Sequence, residues 1–330
     1  MIQQTKLSSL TLPWPANWSA VFGAEKPLIL EIGFGYGHML EYLHQTRPWA
    51  NIVGIEISSE CLVRAEQAIP RKGMENVRVV FARAETALHH LFEPGSLTEV
   101  HINFPDPWFK ARHAGRRLMQ RDTVDALVSR LKVGGTLYLA TDILDYAEMS
   151  AELLAETPGL TNLLETPWAH DMADRTVTKY ERKAREVGRP CHYFAYQRNA
   201  APAPDVPLMK ELEMPHIVFK TSLSMHEMLE RVEVENVDEG ETYINFLHRY
   251  QGRDSLLFDV YVHEPTIDQR VSLVLVPRGE EFPDEYTLKL GAIGSPRVTE
   301  GIHRAVVQLG RVLVGLSPQN EVIHSKVRGW

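Results

Sequence analysis

The chain has little that would let it be stapled, metallated or embedded. Its 330 residues hold two cysteines, Cys61 and Cys191, far apart and in no zinc spacing. That excludes a disulfide framework and fits a reducing compartment. Fourteen histidines include no His-Glu-x-x-His, so no metal site is expected. No uncharged stretch reaches the length of a membrane span. The start, Met1-Ile2-Gln3-Gln4-Thr5-Lys6, lacks the apolar core of a signal peptide. We expect a cytoplasmic protein without a membrane partner. A chain of this size buries roughly 75% of its unfolded surface and needs no staples.

A basic excess is missing too. The net charge is −8, which at first argues against nucleic acid. The distribution changes that. Residues 1–199 carry 22 Lys+Arg against 23 Asp+Glu, and residues 200–330 carry 13 against 20. Within the first part, 107–121 reaches +5 and 175–189 reaches +4. Phosphate binding depends on such patches, because screening limits reach to about 8–10 Å.

What is present begins with rhythm. Short apolar runs at 28–32, 51–55, 77–81, 99–104 and 136–141 alternate with helix-like segments. Val124, Leu127, Val128 and Leu131 form one helical stripe, ended by Gly134-Gly135. This βαβα pattern predicts α/β architecture, a parallel sheet covered on both faces, with ligands beyond the carboxyl ends of its strands. Asn199 to Pro207 is proline- and alanine-rich and reads as a linker. Strand-like runs at 243–250, 256–263, 271–276 and 286–290 then predict an antiparallel meander, closed by a long final helix at 298–314. The expected domains are 1–199, a linker at 200–209, and a smaller α+β domain at 210–330.

The densest chemistry lies in Phe104-Pro105-Asp106-Pro107-Trp108. It follows a run, Val100 to Phe104, read as an apolar strand. Two prolines stiffen the backbone around one carboxylate. Lys110, Arg112, Arg116, Arg117 and Arg121 follow without an intervening acid. A rigid carboxylate beside five cations suits action on an anionic polymer; a solvated proline turn is the plainer alternative.

Glu31-Ile32-Gly33-Phe34-Gly35-Tyr36-Gly37 follows the first predicted strand, and Glu56 closes the second. Glycines let a cofactor approach the backbone, and Glu56 can accept ribose hydroxyls. The dinucleotide fingerprint Gly-x-Gly-x-x-Gly would need glycine where His38 stands. Glu31 would repel a pyrophosphate but suits a cationic amino-acid group, which favours S-adenosylmethionine over a nicotinamide cofactor.

Together these residues resemble the bacterial tRNA (guanine-N7-)-methyltransferases. The resemblance covers about Trp18 to Arg198. It rests on Leu30-Glu31-Ile32-Gly33-Phe34-Gly35, Gly54-Ile55-Glu56, Phe104 to Trp108, Lys110-Ala111-Arg112-His113, Arg116-Arg117, Ala140-Thr141-Asp142 and Thr178-Lys179-Tyr180-Glu181. It implies a Rossmann-like class I fold, S-adenosylmethionine as cofactor, and methyl transfer to a variable-loop guanosine of tRNA. It implies that Glu31, Gly33, Gly35, Gly37, Glu56, Arg83, Ala84 and Asp106 contact the cofactor, with Asp106 also catalytic. Lys110, Asp142, Thr178, Lys179, Tyr180 and Glu181 would bind substrate, and Arg112, Arg116 and Arg117 would contact RNA. Many members carry an acid where this chain has Arg83, so adenine would meet backbone there. Two further readings stay open: a small-molecule methyltransferase, with 200–330 as an interaction or dimerisation module, and a nicotinamide dehydrogenase.

Overall fold

Runs such as Leu28-Ile29-Leu30-Glu31-Ile32 offer water almost nothing, so they pair in the middle of a sheet. The computed structural model describes residues 5–108, 110–173 and 175–330; Met1–Gln4, Phe109 and Asp174 lie outside the description. The chain divides into two compact units, Met1–Met209 and Lys210–Trp330.

The first unit runs β1 (Lys6–Ser8), α1 (Trp18–Phe22), β2 (Leu28–Ile32), α2 (His38–Thr46), β3 (Asn51–Glu56), α3 (Ser59–Arg71), β4 (Val77–Phe81) and α4 (Ala84–His90). It continues with β5 (Leu97–Asn103), a 3-10 turn (Ala111–Arg116), α5 (Arg121–Arg130), β6 (Leu131–Thr141), α6 (Leu144–Ala155), β7 (Leu160–Asn162), α7 (Lys179–Glu186) and β8 (His192–Arg198). The sheet order is β1-β4-β3-β2-β5-β6-β8-β7. Pairing is parallel from β1 to β6, and β8 is antiparallel to both neighbours. The chain steps outward from β2 to β3 and β4, then returns to β5 on the other side. Right-handed crossovers therefore put α2 and α3 on one face and α4 and α5 on the other. This is the expected Rossmann-like sheet. β2 and β5 flank its switch point, where loops part and a ligand crevice opens.

On the α2 face, Ile29, Ile52 and Val77 pack with Leu40, Leu43 and Leu62. Gly54 lets α2 come close: a Cβ there would stand 2.8 Å from the Phe34 ring and 3.0 Å from Leu40. β5 is not the uniformly apolar run expected of 100–104. Val100 and Ile102 are buried apolar residues, but Glu99, His101 and Asn103 alternate with them. Glu31 pairs in register with His101, so this polar column shares the face of Glu31. Arg47 Nε donates to Glu99 at 3.0 Å, and His101 stacks on Tyr138.

Residues 200–209 belong to the first unit. Arg130, fully buried at the end of α5, donates to the carbonyls of Leu88, Val206 and Pro207, and the Met209 N–H donates to His89 O at 2.9 Å.

The second unit holds β9 (His216–Lys220), α8 (Met225–Arg231), β10 (Val237–Glu239), β11 (Thr242–Gln251), β12 (Leu256–Glu264), β13 (Ile267–Pro277), β14 (Glu285–Leu290), α9 (Glu300–Gly315) and β15 (Glu321–Lys326). Its sheet is antiparallel, ordered β10-β11-β12-β13-β14-β9-β15. The meander is as expected. The long helix is not the last element, because β15 follows it and pairs with β9. Ile302, Ala305, Val306, Leu309 and Leu313 give α9 a fully buried stripe. Gly301 and Gly310 seat it closely; a Cβ at Gly310 would collide with Ile217.

Candidate active site

Two loops leave the switch point side by side. Gly33, Gly35 and Gly37 all take positive φ (71°, 52° and 77°), so the chain turns at once from β2 into α2, with Gly37 as the N-cap of α2. Glu56, at the end of β3, ties this turn down. Its Oε2 accepts the Gly35 N–H at 3.0 Å, and its Oε1 accepts the N–H groups of Ile57 and Ser58 at 2.8 and 3.0 Å.

Glu31 sits beneath the turn. Its side chain is buried, its Oε1 accepts from Asn103 Nδ2 at 3.4 Å, and its Oε2 has no partner among the described residues. Burial pushes its pKa up from 4.5 to about 8; the nearby Glu56 adds to this, while Asn103 and Arg175 oppose it. At neutral pH the carboxyl is therefore mostly protonated, and a cation arriving at Oε2 would ionise it.

The crevice above, open to solvent, is lined by Glu31, the glycine turn, Asn103 and the segment Thr178, Lys179, Tyr180. That segment opens a helix. Thr178 caps α7 by accepting the Glu181 N–H at 3.2 Å. Lys179 Nζ lies 3.7 Å from the Tyr36 ring centroid, and the Tyr180 ring reaches Gly35. The first turn of α7 thus rests on the glycine turn. Glu181 points inward: it is buried, and it accepts from Tyr193 Oη at 2.8 Å and Arg185 Nη2 at 2.7 Å.

The loop after β5 is strained at both ends. Phe104 and Trp108 have φ of 54° and 43°, values an L-residue adopts only at a cost of order 1–3 kcal/mol. Asp106 lies between them, exposed, three residues beyond the crevice-lining Asn103. Arg117 holds the loop from inside: its Nε donates to Pro107 O at 3.1 Å and its Nη2 to Trp108 O at 3.4 Å. Arg116 stacks over the Trp108 ring at 5.3 Å. Lys110, Arg112 and Arg116 are exposed.

The other expected residues are more dispersed. Arg83 is the N-cap of α4 and pairs with Glu85 at 3.4 Å; Ala84 begins that helix. Both adjoin Glu56, whose carbonyl accepts the Ala82 N–H. Asp142 follows β6 and pairs with Arg189 at 2.8 Å. Gly37, Glu56, Arg83, Ala84, Asp106, Asp142 and the basic turn lie outside the crevice lining. Three residues went unnoticed in the sequence. Asn103 and Arg175 complete the surroundings of Glu31; polar alternation within a buried strand was the signal for Asn103. Ile57, directly after Glu56, is 63% exposed, an apolar surface at a site already marked for a nucleoside.

A family model described as "Putative methyltransferase" matches residues 25–194. A tRNA (guanine-N(7)-)-methyltransferase of Thermus thermophilus is 33% identical over 296 residues, covering 89% of this chain and 91% of that protein. The chain belongs to the tRNA (guanine-N7-)-methyltransferase family. Enzymes of that name from Burkholderia vietnamiensis and Rhodococcus jostii are 39% and 44% identical, over 58% and 51% of this chain and 73% and 64% of their own length. The Thermus match is too long to fit within 1–209, so its likeness runs into the second unit, beyond the part on which the resemblance was drawn. Membership places this chain with the methyltransferases and disfavours the dehydrogenase reading. Among the described residues no cluster could hold a metal ion, and no helix is long and apolar enough to cross a membrane.

Proposed function

We propose that this chain methylates N7 of a variable-loop guanosine in tRNA, using S-adenosylmethionine bound in the crevice between β2 and β5. The observation that carries the reading is Glu31, a buried carboxyl with one unpaired oxygen under a glycine turn, in a chain of this family. The residues fit the cofactor. Glu31 offers its free oxygen to a cationic ammonium. Glu56 is engaged by three N–H groups and keeps one lone pair, on Oε2, for a ribose hydroxyl. Ile57, Arg83 and Ala84 offer apolar surface and backbone groups to adenine.

When bound, S-adenosylmethionine supplies a methyl group made electrophilic by its sulfonium. The chain itself positions and stabilises. Guanine N7 has an in-plane lone pair and no proton, so no base is needed. The purine turns cationic as it is methylated, and the Asp106 carboxylate becomes more favourable as that charge develops. The strained loop and Arg117 fix where that carboxylate stands. Thr178, Lys179, Tyr180 and Asp142 hold the target nucleotide. Lys110, Arg112 and Arg116 meet phosphates, whereas Arg117 and Glu181 act within the protein. Residues 210–330 form an accessory domain, with self-association as its reading, and the protein works in the cytoplasm.

Incubation with bulk tRNA and methyl-labelled cofactor, followed by mapping of the modified nucleotide, tests this. Label at N7 of one variable-loop guanosine is expected. Label confined to small molecules would favour the alternative.

A further inference from the structure

Arg175 is a buried cation that the mechanism above does not use. Its side chain is 10% exposed, and it stands before α7, at the start of the basic stretch 175–189 and ahead of the Thr178 to Glu181 segment. Nη2 donates to Asn103 Oδ1 at 3.0 Å and lies 3.6 Å from Glu181 Oε2. The guanidinium stacks 4.4 Å from the Tyr193 ring centroid. Asn103 in turn donates to Glu31. One guanidinium nitrogen thus stands between the amide bonded to the carboxyl under the glycine turn and the Glu181 carboxylate buried beneath the first turn of α7.

We propose that Arg175 is a positioning residue that couples occupancy of the cofactor crevice to the seating of Thr178, Lys179 and Tyr180 over it. The inference rests on the proposed function. The amide of Asn103 can turn only one way while it donates to Glu31 and accepts from Arg175. An ionised Glu31 strengthens the first bond, which holds Asn103 Oδ1 toward Arg175, which holds Glu181 and so the start of α7. Tyr180 against Gly35 and Lys179 over Tyr36 carry the effect back to the cofactor side. Lysine could keep the charge but not the flat face that stacks on Tyr193 and holds Nη2 between Asn103 and Glu181. Binding free energies are reciprocal, so the cofactor should tighten tRNA binding as much as tRNA tightens the cofactor.

The test has two readouts. The first is the midpoint of the Glu31 carboxyl in the ligand-free protein, followed by carbon NMR across pH. Glu56 from β3, His101 and Asn103 from β5, Arg175, and the crevice-lining His38 and Lys179 all face this region; only Arg175 is changed. Arg175→Gln should move the midpoint upward, since a cation that favours the carboxylate is gone. Arg175→Lys should leave it closer to the parent value. The second readout is the dissociation constant of S-adenosylhomocysteine with and without tRNA. About fivefold tightening is expected in the parent, at the low end of site-to-site couplings. Both Arg175 variants should abolish it, and Asn103→Ala should abolish it by a separate route. A Glu31 midpoint indifferent to Arg175→Gln, or coupling retained in Arg175→Lys and Asn103→Ala, would overturn the proposal. If Arg175→Gln moves the midpoint but the parent binds no S-adenosylhomocysteine, the proposed function fails and the coupling built on it goes with it.

Discussion

Glu31 carries opposite demands. Burial makes its charge costly, yet its purpose requires the charge. The folded pKa of about 8 lies above the ordinary 4.5. Between those values the folded chain holds a proton that the unfolded chain has released, so stability falls as pH rises from about 4.5 to about 8 and the loss is complete above 8. Glu31→Gln should therefore melt higher than the parent at pH 8.5 and match it at pH 4.5, as thermal melts across pH would show. Asp106 has the reverse character. It is exposed, and its carboxylate makes no ion pair among the described residues. Asp106→Asn should lower single-turnover methyl transfer roughly 10²–10³-fold, the range of a lost electrostatic contact, with cofactor affinity nearly unchanged by calorimetry. A matching loss of affinity with intact chemistry would remove Asp106 from the catalytic role.

At the level of elements, much was readable. The runs at 28–32, 51–55 and 77–81 became β2, β3 and β4 because each is a short, mostly apolar and β-branched segment, too short for a buried helix. α7 was not readable. It buries only Glu181 and Ala184, so it has no apolar stripe; a threonine cap and the Glu181–Arg185 pair make it a helix. β1 and β7, three residues each, are too short to show a period. The switch-point residues Glu31, Gly33, Gly35 and Glu56 stand out in the sequence by charge and spacing, and the structure brings Glu31, Gly33 and Gly35 into one crevice lining with Glu56 bonded to the same turn. The bonds of Arg117 to the Pro107 and Trp108 carbonyls were not legible, since a cation that binds phosphate and one that binds loop carbonyls have the same letter. The basic turn gives a discriminating test. Arg112→Ala or Arg116→Ala should each flatten the slope of log tRNA affinity against log salt by roughly 0.7–0.9. Arg117→Ala should leave that slope unchanged and lower the melting temperature, because it frees the carbonyls of Pro107 and Trp108. Equal slope changes for all three, from filter binding at graded salt, would return Arg117 to the RNA interface.

For the whole molecule, the two units have separate cores, and the boundary follows the hydrogen bonds rather than the proline-rich composition. A chain ending at Met209 keeps every carbonyl that Arg130 needs; one ending at Asn199 loses two of them. Since a buried charged group left short of partners costs roughly 1–3 kcal/mol, the 209-residue chain should melt several degrees above the shorter one by circular dichroism. Light scattering of the same 209-residue chain, compared with the full chain, tests self-association through 210–330. The proposed reaction places methyl transfer to tRNA in the crevice under the glycine turn, with Glu31 as its anchor. The most direct measurement is transfer of labelled methyl to tRNA by the full-length protein and by Glu31→Gln, with folding and tRNA binding checked on both. The account predicts a variant that folds at least as stably, binds tRNA as the parent does and transfers no label; transfer at the parent rate would contradict it.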